Sequence, residues 1–169
     1  VPSTDTIGHG TAIASVAAGS RLSGNRRFVG AAPDCNIIVV KLKPIKQYLR
    51  EYYLIPEDVP CYQETDLIQA IQYLQKFAVS LYSPLVICLG VGTNLGDHSG
   101  VSVFARYLDL VMGRKSRAAV TCAGNEGNAA HHYHGELTRQ QPSQNVEIRV
   151  GGEMGGFVMD FWGGVPYIY

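Results

Sequence analysis

The sequence predicts an α/β fold: a doubly wound parallel sheet in a three-layer αβα arrangement, running on into the start of an antiparallel β module. Three observations predict it. Short, nearly continuous β-branched runs alternate with helix-period segments, the pattern of parallel strands buried on both faces and joined by helical crossovers. The 169 residues are 46% hydrophobic, enough to bury the core of one ordinary domain. Beyond Gly127 the runs give way to alternation of apolar and polar residues, as in half-buried antiparallel strands.

The first element is a helix over residues 9–18, HGTAIASVAA, slim enough to pack deeply, with Gly19 as a left-handed stop. Residues 36–42, NIIVVKL, read as the first buried strand. The stretch 43–65 is rich in tyrosine, charge and proline and reads as a surface excursion holding one helical turn. From Asp66, the stripe Leu67, Ile71, Leu74 and Phe77, flanked by Ala70 and Ala78, predicts an amphipathic helix capped by Thr65 or Asp66. Residues 84–90, PLVICLG, form a second strand. A glycine-rich loop, VGTNLGDHSG, leads to a helix through Val103, Tyr107, Leu110 and Val111, and residues 118–124, AAVTCAG, close the series.

Ligands of open parallel sheets bind beyond the strands' carboxyl ends, here CLGVG and CAGNEGN. Past the loop HHYHGELTRQQPSQ, the segments NVEIRV and FVMDFWG alternate at period two, so a β module begins near Asn145. The expected division is an α/β domain over 1–135 and an incomplete β-rich one over 136–169.

Composition removes several function classes. Fourteen basic and fourteen acidic residues balance to zero, which argues against nucleic acid or an anionic membrane as partner. No apolar run approaches the roughly 20 residues of a membrane span, and no signal pattern opens the chain, so localisation is left open. Cys35, Cys61, Cys88 and Cys122 are widely spaced and suit reduced thiols better than a disulfide framework. The sequence opens without methionine inside VPSTDTIGHGT and stops at VPYIY, and is expected to be a piece of a longer protein.

Chemistry centres on His9. Histidine suits proton transfer near neutral pH without requiring it, and a structural role is the common alternative. Gly8 and Gly10 let the backbone approach another surface closely, and the ring stands at the amino end of a helix. Gly90, Gly92, Gly124, Gly127 and Asn125 have a bland alternative as turn residues.

The motif GHGTAIASVAAG resembles the histidine motif of the subtilisin-like serine proteases. VGAAPDCNIIVVKL resembles the segment that follows it there, PLVICLGVG the substrate-binding Ser-Leu-Gly strand, and VTCAGNEGN the Ala-Gly-Asn oxyanion segment. The four matches fall in family order between Asp5 and Asn128. The resemblance implies a partial subtilisin-like fold, with His9 as general base and Asn125 as side-chain donor to the oxyanion. It further implies that Cys88, Leu89 and Gly90 offer backbone to an extended peptide or protein substrate, and that Ala123 and Gly124 line the specificity pocket. No cofactor and no metal are expected. The tyrosine-rich insert, the GDHSG loop and the β-rich continuation are most similar to the Csp-type proteases of clostridia, in which a β domain is inserted between asparagine and serine.

Departures from the pattern qualify these expectations. Cys88 replaces the usual serine at a position that works through its backbone. The family's aspartate lies tens of residues before the histidine, and Asp5 is too near His9 to match it. No serine of this chain stands in a Gly-Thr-Ser setting. The piece is therefore expected to be inactive without the remainder of its own chain. Three alternatives stand beside this reading: a non-catalytic pseudoprotease of the same fold, a Cys122–His9 thiol protease, and zinc held by His131, His132 and His134 with Asp97 or His98. Arg26 and Arg27 argue against calcium in the loop after the first helix. The excursion over residues 48–62 has three readings: a border of the cleft, a docking surface, or a solvated insertion. Oligomeric state is not legible.

Overall fold

The computed structural model describes residues 3–21 and 28–163. Its elements are α1 (His9–Ala18), α2 (Gln47–Tyr52), α3 (Glu64–Ser80), β1 (Leu85–Leu89), α4 (Val103–Met112) and β2 (Arg117–Thr121). The strands β1 and β2 are parallel neighbours in register, from Leu85 opposite Arg117 to Leu89 opposite Thr121. A parallel pair requires a crossover, and α4 supplies it.

The core is one layer deep. Ile71 of α3, Ile87 of β1 and Val111 of α4 are 1%, 3% and 2% exposed, and Leu74, Leu85, Leu89, Phe104, Tyr107, Leu108 and Ala119 pack around them. Both helices thus cover the same sheet face. Their amino ends are tied together: Ser102 caps α4 by accepting from the Ala105 amide at 3.1 Å, and the Glu64 carboxylate accepts from the Phe104 amide at 3.0 Å. The expected stripes were right about Ile71, Leu74, Ala78, Tyr107 and Val111. Phe77, Val103 and Leu110 stand outside the core at 39%, 73% and 69% exposure. Neither Thr65 nor Asp66 caps α3, whose N-cap is Gln63. Asp66 pairs instead with Lys43 at 3.3 Å.

The three-layer expectation is met in part, as an α/β fold with a parallel sheet. The first expected strand, residues 36–42, makes no ladder. It runs against α3, where a gap of about 270 Å³ lies between Val40–Lys43 on one side and Asp66, Gln69, Ala70 and Tyr73 on the other. β-branched residues favour extended backbone, but a strand needs a neighbour with free N–H and C=O groups, and among the described residues none pairs with this one.

The segments NVEIRV and FVMDFWG make no ladder among the described residues either. Their apolar faces are open, with Ile148, Phe157 and Trp162 at 50%, 51% and 60% exposure. A compact chain of 18.4 kDa leaves about 8200 Å² accessible. This chain leaves 14298 Å², so much of its apolar surface has no cover.

Two local features differ from expectation for clear reasons. Gly19 is extended, at φ −65° and ψ 134°, not left-handed. Residues 30–32 close the end of α1 instead: the Gly30, Ala31 and Ala32 amides donate to Gly19, Val16 and Ala17 carbonyls at 2.8, 3.0 and 2.8 Å. The tyrosine-rich excursion does hold one short helix, α2, and is organised by an arginine. Arg50, 9% exposed, donates to the Pro56 and Val59 carbonyls, while the Ile45 amide donates to the Cys61 carbonyl at the excursion's base. Ser23, Arg26, Arg27 and the VPYIY terminus lie outside the described residues.

Candidate functional site

The histidine turn is built from Asp5 forward. The Asp5 carboxylate accepts from the Ile7 and Gly8 amides through one oxygen, and from the Thr11 amide and hydroxyl through the other. An aspartate bonding amides two and three residues on makes an Asx-type turn, and its charge complements the open N–H groups of the first helical turn. Gly8, the N-cap, has φ +87°, a conformation that side chains disfavour. Gly10 has no such need, since an added Cβ would meet only Asp5 Oδ2, at 3.8 Å.

From this turn the His9 ring reaches the far end of β1. Its Nε2 lies 2.8 Å from the Gly90 carbonyl oxygen, across 81 residues of sequence. A carbonyl only accepts, so Nε2 carries the hydrogen in this arrangement. A Cβ at Gly90 would displace the tip of the Ile13 side chain of α1 and sit 3.6 Å from His9 Nε2, which shows how closely α1 approaches this point.

Because β1 and β2 are parallel and in register, their carboxyl ends emerge side by side. Leu89 stands opposite Thr121, which places Gly90 beside the start of residues 122–125. Gly124 turns the chain at φ +82° and leads to an exposed Asn125. Two loops are then clasped together: the Asn94 amide donates to Glu126 Oε2 at 3.0 Å, and His131 Nδ1 is 3.6 Å from the same oxygen. The Asn94 amide, with the nearby His131 charge second, holds the Glu126 carboxyl below its ordinary range.

The structure therefore brings His9 to Gly90 and sets Cys88 and Leu89 on the strand that ends there. It sets Ala123, Gly124 and Asn125 on the neighbouring strand end. His9's hydrogen bond goes to Gly90 and not to the 122–125 segment. Cys88 and Cys122 are free and exposed; Cys88 stands opposite Val120 in the sheet, and Cys122 follows the last residue of β2. The histidines of the HHYH stretch diverge, His131 toward Glu126 and His132 edge-on to His98 at 4.8 Å. Among the described residues no three His, Cys, Asp or Glu side chains are grouped as metal ligands.

Sequence reasoning weighed Asp5 only as a triad aspartate and set it aside, and it passed over Asn94 and Glu126. The signal for Asp5 was available, an aspartate ahead of a glycine pair and a threonine six residues on. Asn94 and Glu126 carry no such local mark, since each matters only through the other.

Comparison with known proteins bears on the whole arrangement. The model of the subtilase family, peptidase S8, matches residues 2–147. Among solved structures, the CspB protease of Clostridium perfringens is similar with a TM-score of 0.62 and 29% identity, over 78% of this chain and 25% of that one. The chain thus spans about a quarter of that protease's length. No curated protein matches it.

Proposed function

This chain belongs to the subtilase family, and from that premise we propose that it carries the base and the oxyanion donor of a Csp-type serine endopeptidase. The observation that carries the reading is the 2.8 Å approach of His9 Nε2 to the Gly90 carbonyl, which brings a histidine to the edge where a peptide would lie. An extended substrate adds to the backbone of Cys88, Leu89 and Gly90, the first two of which are already paired with β2 along their other edge. Ala123 and Gly124 are small enough to leave space for the side chain before the cleaved bond.

In the whole protein, a serine hydroxyl attacks the substrate carbonyl while His9 takes its proton, then returns it to the leaving amine. That step requires the ring to release Gly90 and turn an unprotonated nitrogen toward the hydroxyl. Asn125 donates its amide to the oxygen that becomes negative as the tetrahedral intermediate forms. The aspartate and serine of the triad are supplied from outside residues 1–169, so this chain alone does not hydrolyse peptides. The open apolar face of residues 146–162 is where the inserted β domain over 136–169 would complete its sheet.

The test is kinetic, on the full-length protein. His9→Ala should lower kcat by about 10⁶ and Asn125→Ala by about 10²–10³, with folding unchanged by circular dichroism; both figures are subtilisin's own rather than consequences of this geometry. An unchanged rate for His9→Ala would refute the base assignment. An effect of Asn125→Ala confined to KM would remove the oxyanion role.

A further inference from the structure

Asp5 is the most heavily bonded side chain among the described residues, and it lies four positions before His9. Oδ1 accepts from Ile7 N at 2.9 Å and Gly8 N at 2.8 Å; Oδ2 accepts from Thr11 N at 2.9 Å and Thr11 Oγ1 at 2.6 Å. An ionised carboxylate offers acceptors only, and four donors use them fully. The donors straddle the histidine, two before it and two after. The Thr11 hydroxyl first, then the Gly8, Thr11 and Ile7 amides, hold the carboxyl far below its usual range.

We propose that Asp5 is the positioning residue for His9, its carboxylate clamping the turn on both sides so that the ring leaves the backbone at the angle that brings Nε2 to the end of β1. The inference rests on His9 being the general base. It is distinct from ordinary helix capping. A cap changes how much of the protein is folded, whereas a clamp on the catalytic turn changes the rate of protein that is already folded. Neither asparagine nor glutamate replaces it. Asparagine turns one acceptor into an NH₂ facing either the Thr11 pair or the Ile7 and Gly8 amides, and glutamate adds a methylene to a turn whose four bonds are all 2.6–2.9 Å.

The test uses the full-length protein and an alkyl fluorophosphonate, which reports the activated serine without knowledge of the natural substrate. The serine oxygen attacks phosphorus, fluoride leaves, and the base takes the hydroxyl proton. Asp5→Asn is expected to lower the limiting labelling rate roughly 10- to 100-fold, with the half-saturating concentration within about threefold of wild type. Thr11→Val is expected to lower it less, and Thr11→Ser, which keeps the hydroxyl, to restore it. Thermal melts establish that each variant is folded. A folded Asp5→Asn protein labelled at the wild-type rate overturns the proposal, as does Thr11→Ser being as slow as Thr11→Val. Wild-type labelling of His9→Ala, or none of wild type, overturns the base assignment and this inference with it. Loss in His9→Ala but not in Asp5→Asn overturns only the inference.

Discussion

The two faces of the β1–β2 sheet are built from alternate residues of the same strands and have opposite fates. On one, Ile87 is 3% exposed beneath Ile71 and Val111. On the other, Val86 and Val120 are 67% and 57% exposed, and Cys88 is open with them. The closed face is covered by α3 and α4, which immediately precede β1 and join β1 to β2. Just past the end of β1, His9 and Ile13 of α1 approach Gly90. Local crossovers thus make the stable half, while the end proposed as functional depends on elements far away in sequence.

The sharpest way to break this contrast is Ile71→Ala. Truncating a fully buried isoleucine should destabilise the 169-residue chain by about 2–5 kcal/mol in a urea titration, because the helices and sheet around it relax only partly into the cavity. A loss near zero would mean that the closed face is not the core. Val86→Thr, one residue from Ile87 on the opposite face, should stay within about 0.5 kcal/mol in the same titration. If it costs as much as Ile71→Ala, the open face is covered in solution. In the full-length protein the Val86 substitution should cost more, which would sharpen the contrast into a map of what the rest of the protein buries.

The same division explains what was legible. α3, β1, α4 and β2 could be read because periodicity is a local property, though the cap of α3 was misplaced, and their shared core follows from the crossover between parallel strands. Residues 36–42 look as strand-like as β1, yet β-branching only prepares a backbone for a partner that some other segment must provide. NVEIRV and FVMDFWG follow the same logic. His9, Gly90 and Asn125 were identified through motif resemblance, since nothing in their neighbourhoods specifies a contact 81 residues long. Arg50 read as one more charge in a charged loop; its role lies in donating to two carbonyls of that loop, Pro56 and Val59.

The smallest expected effect concerns the clasp across the functional end. Asn94 lies beyond β1 and Glu126 beyond β2, so their hydrogen bond fixes the second strand end, and Asn125 with it, to the first. The Glu126 carboxyl is depressed by Asn94 first and by the His131 charge after it. A carboxyl with a lowered folded pKa adds stability above its unfolded value and loses it as pH falls through the folded one. Acidifying into the ordinary glutamate range should therefore leave the clasp closed, and it should open only below that range. The Asn94 side-chain amide resonances, followed by NMR against pH, report this directly. Glu126→Gln keeps an acceptor for Asn94 and should remove the titration without moving the resonances far at neutral pH. A midpoint at glutamate's ordinary value would show that the strand ends are not clasped in solution, and the orientation of Asn125 would then have to come from the substrate or from the rest of the protein.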